Sequence, residues 1–516
     1  MQRFIARHAE AILGVVSGFD RLVFRGTLRR IAFSEGLAKF LNWQGIRLKD
    51  FKTFAETVTA QVKGACEGEA KRLKRPIVYL ASSRTDKERV ALEIAERDGI
   101  SSGLVAVITC VEPCLSFDVY RNRDAKRLEL VSRVRKCLHI YHYWLDARFG
   151  LMNLRIQTWL PLNVQVCLNG REWLARELDR RGVGYERRDN CFTWLEHVAA
   201  GDKLLRRQVR IDWVAVLDRL VRRLNPAHSR LFRDASLDYY WSVYQSEWAT
   251  DIMFRTAARL QAIYRPLVLH GITSFASADV MRFLGRRVRS DFSGEVVSSF
   301  KDRAEGTRVK HSVGQNSVKV YDKQGSVLRV ETTINEPQDL RVFRPKEGDR
   351  NGPRAWRQMR KGVADLPRRT QLSQACNERY LDALAAVDTA APFGKVIIPL
   401  TRPVTWRGRR FRGLHPFSEL DSSLLNAVAR GNFHLKGFRN RDLQPLLYPR
   451  TAVDDAERRR RSARVSRLIR LLRAHGLIRK MSSSHRYVLT RTGHDLIPIL
   501  ATLQNTSLQQ LQGLAA

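Results

Sequence analysis

A chain of 516 residues with 91 Lys+Arg against 52 Asp+Glu carries a formal charge of +39, which repels itself in a compact state and asks for a polyanionic partner. Its 44% hydrophobic content is that of a folded protein, of about two to four domains by length, and excludes a disordered basic tail. No stretch approaches the roughly 18 uncharged apolar residues that span a bilayer, so no membrane is expected. Seven scattered cysteines exclude a disulfide framework and favour a reducing, cytoplasmic setting.

In chain order, residues 1–75 read as mostly helical. Ala11–Phe19 is an apolar run, interrupted before it by Glu10, that fits a helix better than a signal peptide. Arg21–Arg25 is a short strand candidate and Asp50–Ala70 the clearest helix. From Pro76 the pattern turns mixed: Ile77–Ala81 is a strand, Thr85–Asp98 a helix, and Gly103–Val111 and Ser116–Tyr120 are strands. Lys136–Leu145, Leu151–Trp159 and Asn163–Leu168 follow as strands, then a helix over Gly170–Arg181. Cys110 and Cys114 precede His139 and His142, which invites a zinc reading. Histidines three apart on a strand face opposite sides and cannot share one ion, so two hydrogen-bonded core histidines are expected instead.

Residues 193–265 read as helical, broken at Asn225-Pro226, with Leu237–Tyr264 the longest helix and Trp241, Tyr244, Trp248 and Ile252 its core stripe. On that helix Glu247, Asp251 and Arg255 would share a face as an internal ion ladder, or as an acid pair with a cation. Residues 343–354 and a basic connector at 391–413 are the linker candidates. The expected architecture is therefore α+β and multidomain. A mixed α/β region spans 1–190, a helical region 191–300, a β-meander with helices 301–390, and a basic connector with a winged helix-turn-helix 391–516.

The meander occupies 306–335, with Thr307–Val313, Ser317–Lys323 and Val327–Ile334 alternating around turns at Gly314-Gln315 and Gln324-Gly325. A two-residue loop at Gln324-Gly325 would set Val318 opposite Glu331 and Asp322 opposite Val327. Asp322, Arg329 and Glu331 would then share one face, and Lys319, Tyr321 and Lys323 the other. Two converging carboxylates could hold Mg2+ or Mn2+ for phosphodiester chemistry. Spacing alone favours the plainer alternative, in which Arg329 neutralises both acids and Lys319 and Lys323 touch phosphate. Asp20 is a candidate third carboxylate.

The string S-x-K-x-Y-D-K followed by L-R-V-E resembles, over about 30 residues, a motif of replication initiators of rolling-circle plasmids and filamentous phages. That resemblance implies a metal-ligand role for Glu331 and makes Tyr321 the nearby tyrosine for strand nicking, with Asp322 beside it. This chain departs from the plasmid pattern in having Val330 directly before Glu331. No two of its 12 histidines form a His-x-His pair, so the histidine-metal version of the reaction is excluded. No G-x-x-x-x-G-K-[ST] loop is present, which disfavours a nucleotide-driven motor.

In the last quarter, Phe417–Ala429 and Asn440–Leu447 read as helices and Glu457–His475 as a recognition helix. Val465, Leu468, Ile469 and Leu472 form its inner stripe, and Arg461, Arg464, Arg467, Arg470 and Arg473 its outer surface. Gly476 stops it. Two strands (Leu477–Met481, His485–Thr490) flank a Ser482–Ser484 tip, and a last helix starts near Thr492. The run V-S-R-L-I-R-L-L-R-A-H-G-L-I-R-K with H-R-Y-V-L-T-x-x-G is similar to MarR-like winged-helix regulators over about 80 residues. It implies DNA contact by the helix and by Arg479, Lys480, His485 and Arg486. Residues 391–516 hold 23 Lys+Arg and 7 Asp+Glu, a local charge of about +16 suited to phosphates.

Three readings stay open: a nucleoid-associated DNA-processing protein of a mobile element, a non-enzymatic winged-helix transcriptional regulator, and a partner of structured RNA.

Overall fold

The computed structural model describes residues 1–225, 228, 237–273, 275, 277–286, 296–301, 308–346, 349, 351–385, 393–429, 433, 437–481, 485–490, 492, 493, 496, 497, 499 and 500. The Ser482–Ser484 tip, Pro226 and Gly306-Thr307 lie outside the described residues.

Eleven strands form one sheet: β1 (Ile12–Leu28), β2 (Ile77–Leu80), β3 (Gly103–Asn122), β4 (Arg127–Asp146), β5 (Gly150–Gln157), β6 (Val164–Asn169), β9 (Tyr239–Phe254), β10 (Val296–Lys301), β11 (Arg308–Val313), β12 (Asn316–Lys323) and β13 (Val327–Ile334). Their spatial order is β10-β11-β12-β13-β9-β1-β6-β5-β4-β3-β2. All neighbours are antiparallel except β2 and β3. Strands β7 (Tyr185–Arg188) and β8 (Cys191–Leu195) make a separate hairpin. The architecture is mixed α and β, as composition and pattern suggest. The boundaries expected at 190 and 300, however, cut across this sheet, which draws strands from all three of the first regions.

Two helical readings are corrected. Ala11–Phe19 lies in β1, and Leu237–Tyr264 resolves into β9 followed by a helix at Ala257–Thr273. Gly103–Val111 and Ser116–Tyr120 are one 20-residue strand, β3. The candidate linker 343–354 is bounded by a paired hairpin, β14 (Arg341–Arg344) with β15 (Ala355–Gln358).

Where one sheet face is covered and the other half-open, the strands alternate as physics demands. In β1, Leu22, Phe24 and Leu28 are buried while Arg21, Val23, Arg25 and Thr27 are partly or fully open, and β6 repeats the pattern. The covered side of the β1–β6 half rests on the helix Phe51–Arg72 through Phe51, Ala55, Val58, Val62, Cys66 and Ala70. The β11–β13 half rests on the helices Ala257–Thr273 and Leu366–Leu384.

The described residues after 393 have their own core. It comprises the helices Glu419–Val428, Asn440–Leu447 and Asp455–Ala474, the hairpin β16 (Val404–Trp406) with β17 (Arg409–Phe411), and the hairpin β18 (Ile478–Lys480) with β19 (Tyr487–Leu489). Phe438 adds a one-residue bridge to Tyr487.

Candidate active site

The β12–β13 hairpin closes through three residues, 324–326, with Lys323 opposite Val327, Tyr321 opposite Arg329 and Lys319 opposite Glu331. Gln324 (φ 59°) and Gly325 (φ 78°) supply the left-handed turn. This is one residue out of the expected register, and a one-residue slip sends each side chain to the other face. The expected convergence of Asp322 with Glu331 is therefore overturned. Asp322 faces the helix Ala257–Thr273, where its carboxylate accepts from Gln261 at 2.8 Å and its backbone N–H donates to the Tyr264 hydroxyl at 2.8 Å. Among the described residues it is not part of the acid cluster that could hold a metal ion, and its side chain faces away from Glu331.

Tyr321, Lys319 and Lys323 instead share a face with Glu331 and Arg329. The Tyr321 hydroxyl donates to Glu331 Oε2 at 2.9 Å, and Lys319 Nζ lies 2.6 Å from Oε1. Burial, with the Glu331 charge added to it, pushes the Tyr321 phenol well above its ordinary value. Lys323 is tied to Asp189 at 2.7 Å.

The acids that do meet come from three neighbouring strands. Asp20 on β1, Glu247 on β9 and Glu331 on β13 place one carboxylate oxygen each within 4.8 Å of one another. Antiparallel pairing puts Glu331 beside Ala249 and Thr333 beside Glu247 on one face. Asp20 joins them through a β-bulge: Phe19 pairs with Trp248 and Arg21 with Glu247, leaving Asp20 as the extra residue. A bulge re-aims a side chain in this way.

A buried charge network holds the triad from beneath. Arg329 is 1% exposed and grips Asp251 through Nε (2.6 Å) and Nη2 (2.9 Å), Asp20 through Nη1 (2.7 Å), and the Asn190 carbonyl. Arg171 reaches Asp251 at 2.9 Å and the Ala249 carbonyl at 3.0 Å. Its position is fixed because the helix Gly170–Asp179 begins directly on β1, where a Cβ at Gly170 would overlap the Phe19 carbonyl. Burial opposes the Asp251 charge, but Arg171 and Arg329 more than offset it and hold its carboxyl below the ordinary value. The balance differs for Asp20, where burial, reinforced by Glu331, outweighs Arg329 and raises the carboxyl. A group that costs energy to ionise in place, beside two further acids, is a natural cation ligand.

Two of the three acids, Asp20 and Glu247, line a cleft of about 90 Å³ with Arg21, Asn153, Asn169 and Asn190 among others. On the same side, Arg25 is half-buried and burial lowers its guanidinium pKa, with Tyr244 the nearest countering group. Tyr244 is 49% exposed and is itself the extra residue of a second bulge, between Val23 and Phe24.

His139 and His142 do face opposite sides of β4. His139 Nδ1 contacts the Cys137 carbonyl at 3.1 Å, whereas neither ring nitrogen of buried His142 has a partner among the described residues, against the expectation of two hydrogen-bonded histidines.

In the C-terminal module, Arg464, Arg467, Arg470, Arg479, Lys480 and His485 are exposed. Arg461 is drawn back to Glu457 at 2.6 Å and over the Tyr448 ring, and Arg486 donates to the Gly437 carbonyl at 3.1 Å.

Glu247 and Asp251 were legible as an acid pair, but on the wrong element. Residues four apart share a face on a strand as on a helix, and the cation on Asp251 is Arg329 rather than Arg255, which donates to the Glu10 carbonyl, while Glu247 accepts from Gln245 at 2.7 Å. Arg171 and Asn190 were missed, since nothing local to either marks it as an ion-network member.

No family model and no curated protein matches the chain. Among solved structures, the di-domain ARO/CYC BexL from the BE-7585A biosynthetic pathway matches at 11% identity over 59% of this chain and 94% of that one. Its TM-score of 0.17 is too low to carry any argument.

Proposed function

We propose that this is a DNA-processing protein, of the kind mobile elements use to begin replication, that binds duplex DNA through a C-terminal winged helix and cleaves a strand on the central sheet. The observation that carries it is the meeting of Asp20, Glu247 and Glu331 from three adjacent strands on the face that also bears Tyr321. A non-enzymatic regulator or an RNA-binding protein gives no reason to hold three acids in such repulsive proximity.

Three carboxylate oxygens at this spacing suit a hard divalent cation such as Mg2+ or Mn2+, with Lys319 and Arg329 trimming the excess negative charge. Such an ion would polarise a phosphodiester and stabilise charge on its oxygens. The chain's own residues supply the rest. Glu331 accepts the Tyr321 proton, Asp251 and Arg171 keep Arg329 in place, and Arg25 with Tyr244 offers a cation and a ring to a strand crossing the open face.

As nucleophile, Tyr321 Oη would form a bond to phosphorus while the P–O bond to the leaving sugar oxygen breaks, its proton passing to Glu331. A second reading is favoured by its burial: at 8% exposure, the phenol is a positioning group for Glu331 and water is the attacking species.

For DNA attachment, the helices Glu419–Val428, Asn440–Leu447 and Asp455–Ala474, followed by β18–β19 and the Phe438–Tyr487 bridge, have the element order of a winged helix. Exposed Arg464, Arg467 and Arg470 would meet the groove, and Arg479, Lys480 and His485 the flanking backbone. Arg461 and Arg486, both engaged locally, are weaker contacts.

The test is Mn2+-dependent nicking of supercoiled plasmid. The wild type should relax it and Glu331→Gln should not. A covalent protein–DNA adduct lost in Tyr321→Phe supports the tyrosine as nucleophile, while continued nicking by Tyr321→Phe supports water. Equal nicking by wild type and Glu331→Gln would sink the proposal.

A further inference from the structure

Ahead of the three C-terminal helices, β16 and β17 form a tight hairpin whose sequence from 406 to 412 is W-R-G-R-R-F-R. Arg407 (φ 52°) and Gly408 (φ 74°) make the two-residue left-handed turn that matches strand twist, so the tip is a stiff projection. Arg402, Arg407, Arg409 and Arg410 are exposed, and among the described residues no ion pair engages them. Three arginines in four positions repel one another; Arg407 lies 5.0 Å from the Trp406 ring centroid, and among the described residues no carboxylate pairs with any of the three.

The base of the hairpin is fastened to the longest C-terminal helix. Trp406 packs against Phe411 (6.0 Å between centroids) and under the Arg473 guanidinium (4.8 Å). His475 Nε2 contacts the Arg412 carbonyl at 2.8 Å, and Arg412 clasps Asp421 at 2.6 Å. Arg473 also lies 5.8 Å from the Tyr487 ring, so this hairpin and β18–β19 lean on one guanidinium. Arg473 is thus a structural pin between two hairpins.

We propose that the β16–β17 hairpin is a second phosphate-gripping arm, in which Arg407, Arg409 and Arg410 hold the backbone of duplex DNA alongside the contacts of the Asp455–Ala474 helix. This rests on the duplex-binding reading above. A duplex fits better than a single strand because the hairpin's tryptophan, Trp406, already has the Arg473 and Arg407 guanidiniums over its ring, at 4.8 and 5.0 Å, where a base would stack. Contacts to phosphate position the duplex and carry no sequence information.

The experiment measures the affinity of the full chain for a fluorescent duplex as salt is raised. Substituting Arg407→Ala, Arg409→Ala and Arg410→Ala together should lower the slope of log affinity against log salt by about 2 to 3, at roughly 0.9 per phosphate contact. The Lys triple variant should keep the wild-type slope, which a damaged fold would not. A steep wild-type slope that the Ala triple variant leaves unchanged overturns the arm while leaving the parent reading standing. A wild type that binds no duplex overturns both. Hairpin-dependent binding to anionic lipid vesicles, with duplex affinity unaltered, also overturns it.

Discussion

His142 is fully buried with both ring nitrogens unpartnered among the described residues, and burial takes its pKa from 6.5 down to about 4. His139 and His311 are lowered to about 4 for the same reason. In the folded state these rings stay neutral between pH 6.5 and about 4, while the unfolded chain binds protons there. Stability is therefore complete above pH 6.5 and falls as pH drops toward 4, by on the order of 3 kcal/mol for a ring so shifted. Thermal melts across that window should show the decline, and His142→Leu should flatten it. An unchanged pH slope in that variant would mean the ring is not the group responsible. Asp251 makes the opposite kind of contribution, since its charge is needed by two buried arginines. Asp251→Asn would leave Arg329 and Arg171 short of a counter-ion and should cost about 3–5 kcal/mol in denaturant unfolding. A loss under 1 kcal/mol, the size of a surface pair, would show that the network is not what holds these strands.

At the scale of the element, strands with a period of two or a clear turn beside them were readable, β13 among them although it is buried throughout, and β9 was not. β5 and β6 alternate in the sequence because their environment alternates. The second half of β9, from Trp248 to Phe254, is buried throughout, so it shows no period of two. The spacing of Trp241, Tyr244, Trp248 and Ile252 then imitates a helix, helped by the bulge at Tyr244. Bulges and turns also decided what could be known of the site. Glu331 and Tyr321 stood out in the motif, but their shared face depended on whether the loop held two residues or three. Asp20 was legible as an acid beside a strand. Its arrival at the triad depends on the Phe19/Arg21 bulge, which the local sequence does not announce. The Asp455–Ala474 helix was simpler, because its apolar stripe and the Gly476 stop are both local signals, though its start lies two residues before the expected Glu457.

At the scale of the whole molecule, the surplus of positive charge is compatible with a compact chain only if it is distributed between internal pairing and an external anion. Part of the basic content in and beside the sheet is spent internally, in Arg171, Arg329, Lys319 and Lys323. The C-terminal module leaves Arg464, Arg467 and Arg470 exposed on one helix and Arg407, Arg409, Arg410 and Arg479 on two hairpins joined through Arg473. The sheet supplies acids at its centre and the module supplies cations at its surface, the division that the proposed function uses. No helix among the described residues is long and apolar enough to cross a membrane.

The central claim is that Asp20, Glu247 and Glu331 form a cation site. Titration of the purified chain with Mn2+, followed by electron paramagnetic resonance of the free ion, tests it without reference to DNA. The account predicts saturable uptake of Mn2+ by the wild type, abolished in Glu247→Gln and in Glu331→Gln, with Asp322→Asn behaving as wild type. Uptake that both triad variants retain, or that Asp322→Asn alone removes, would contradict it.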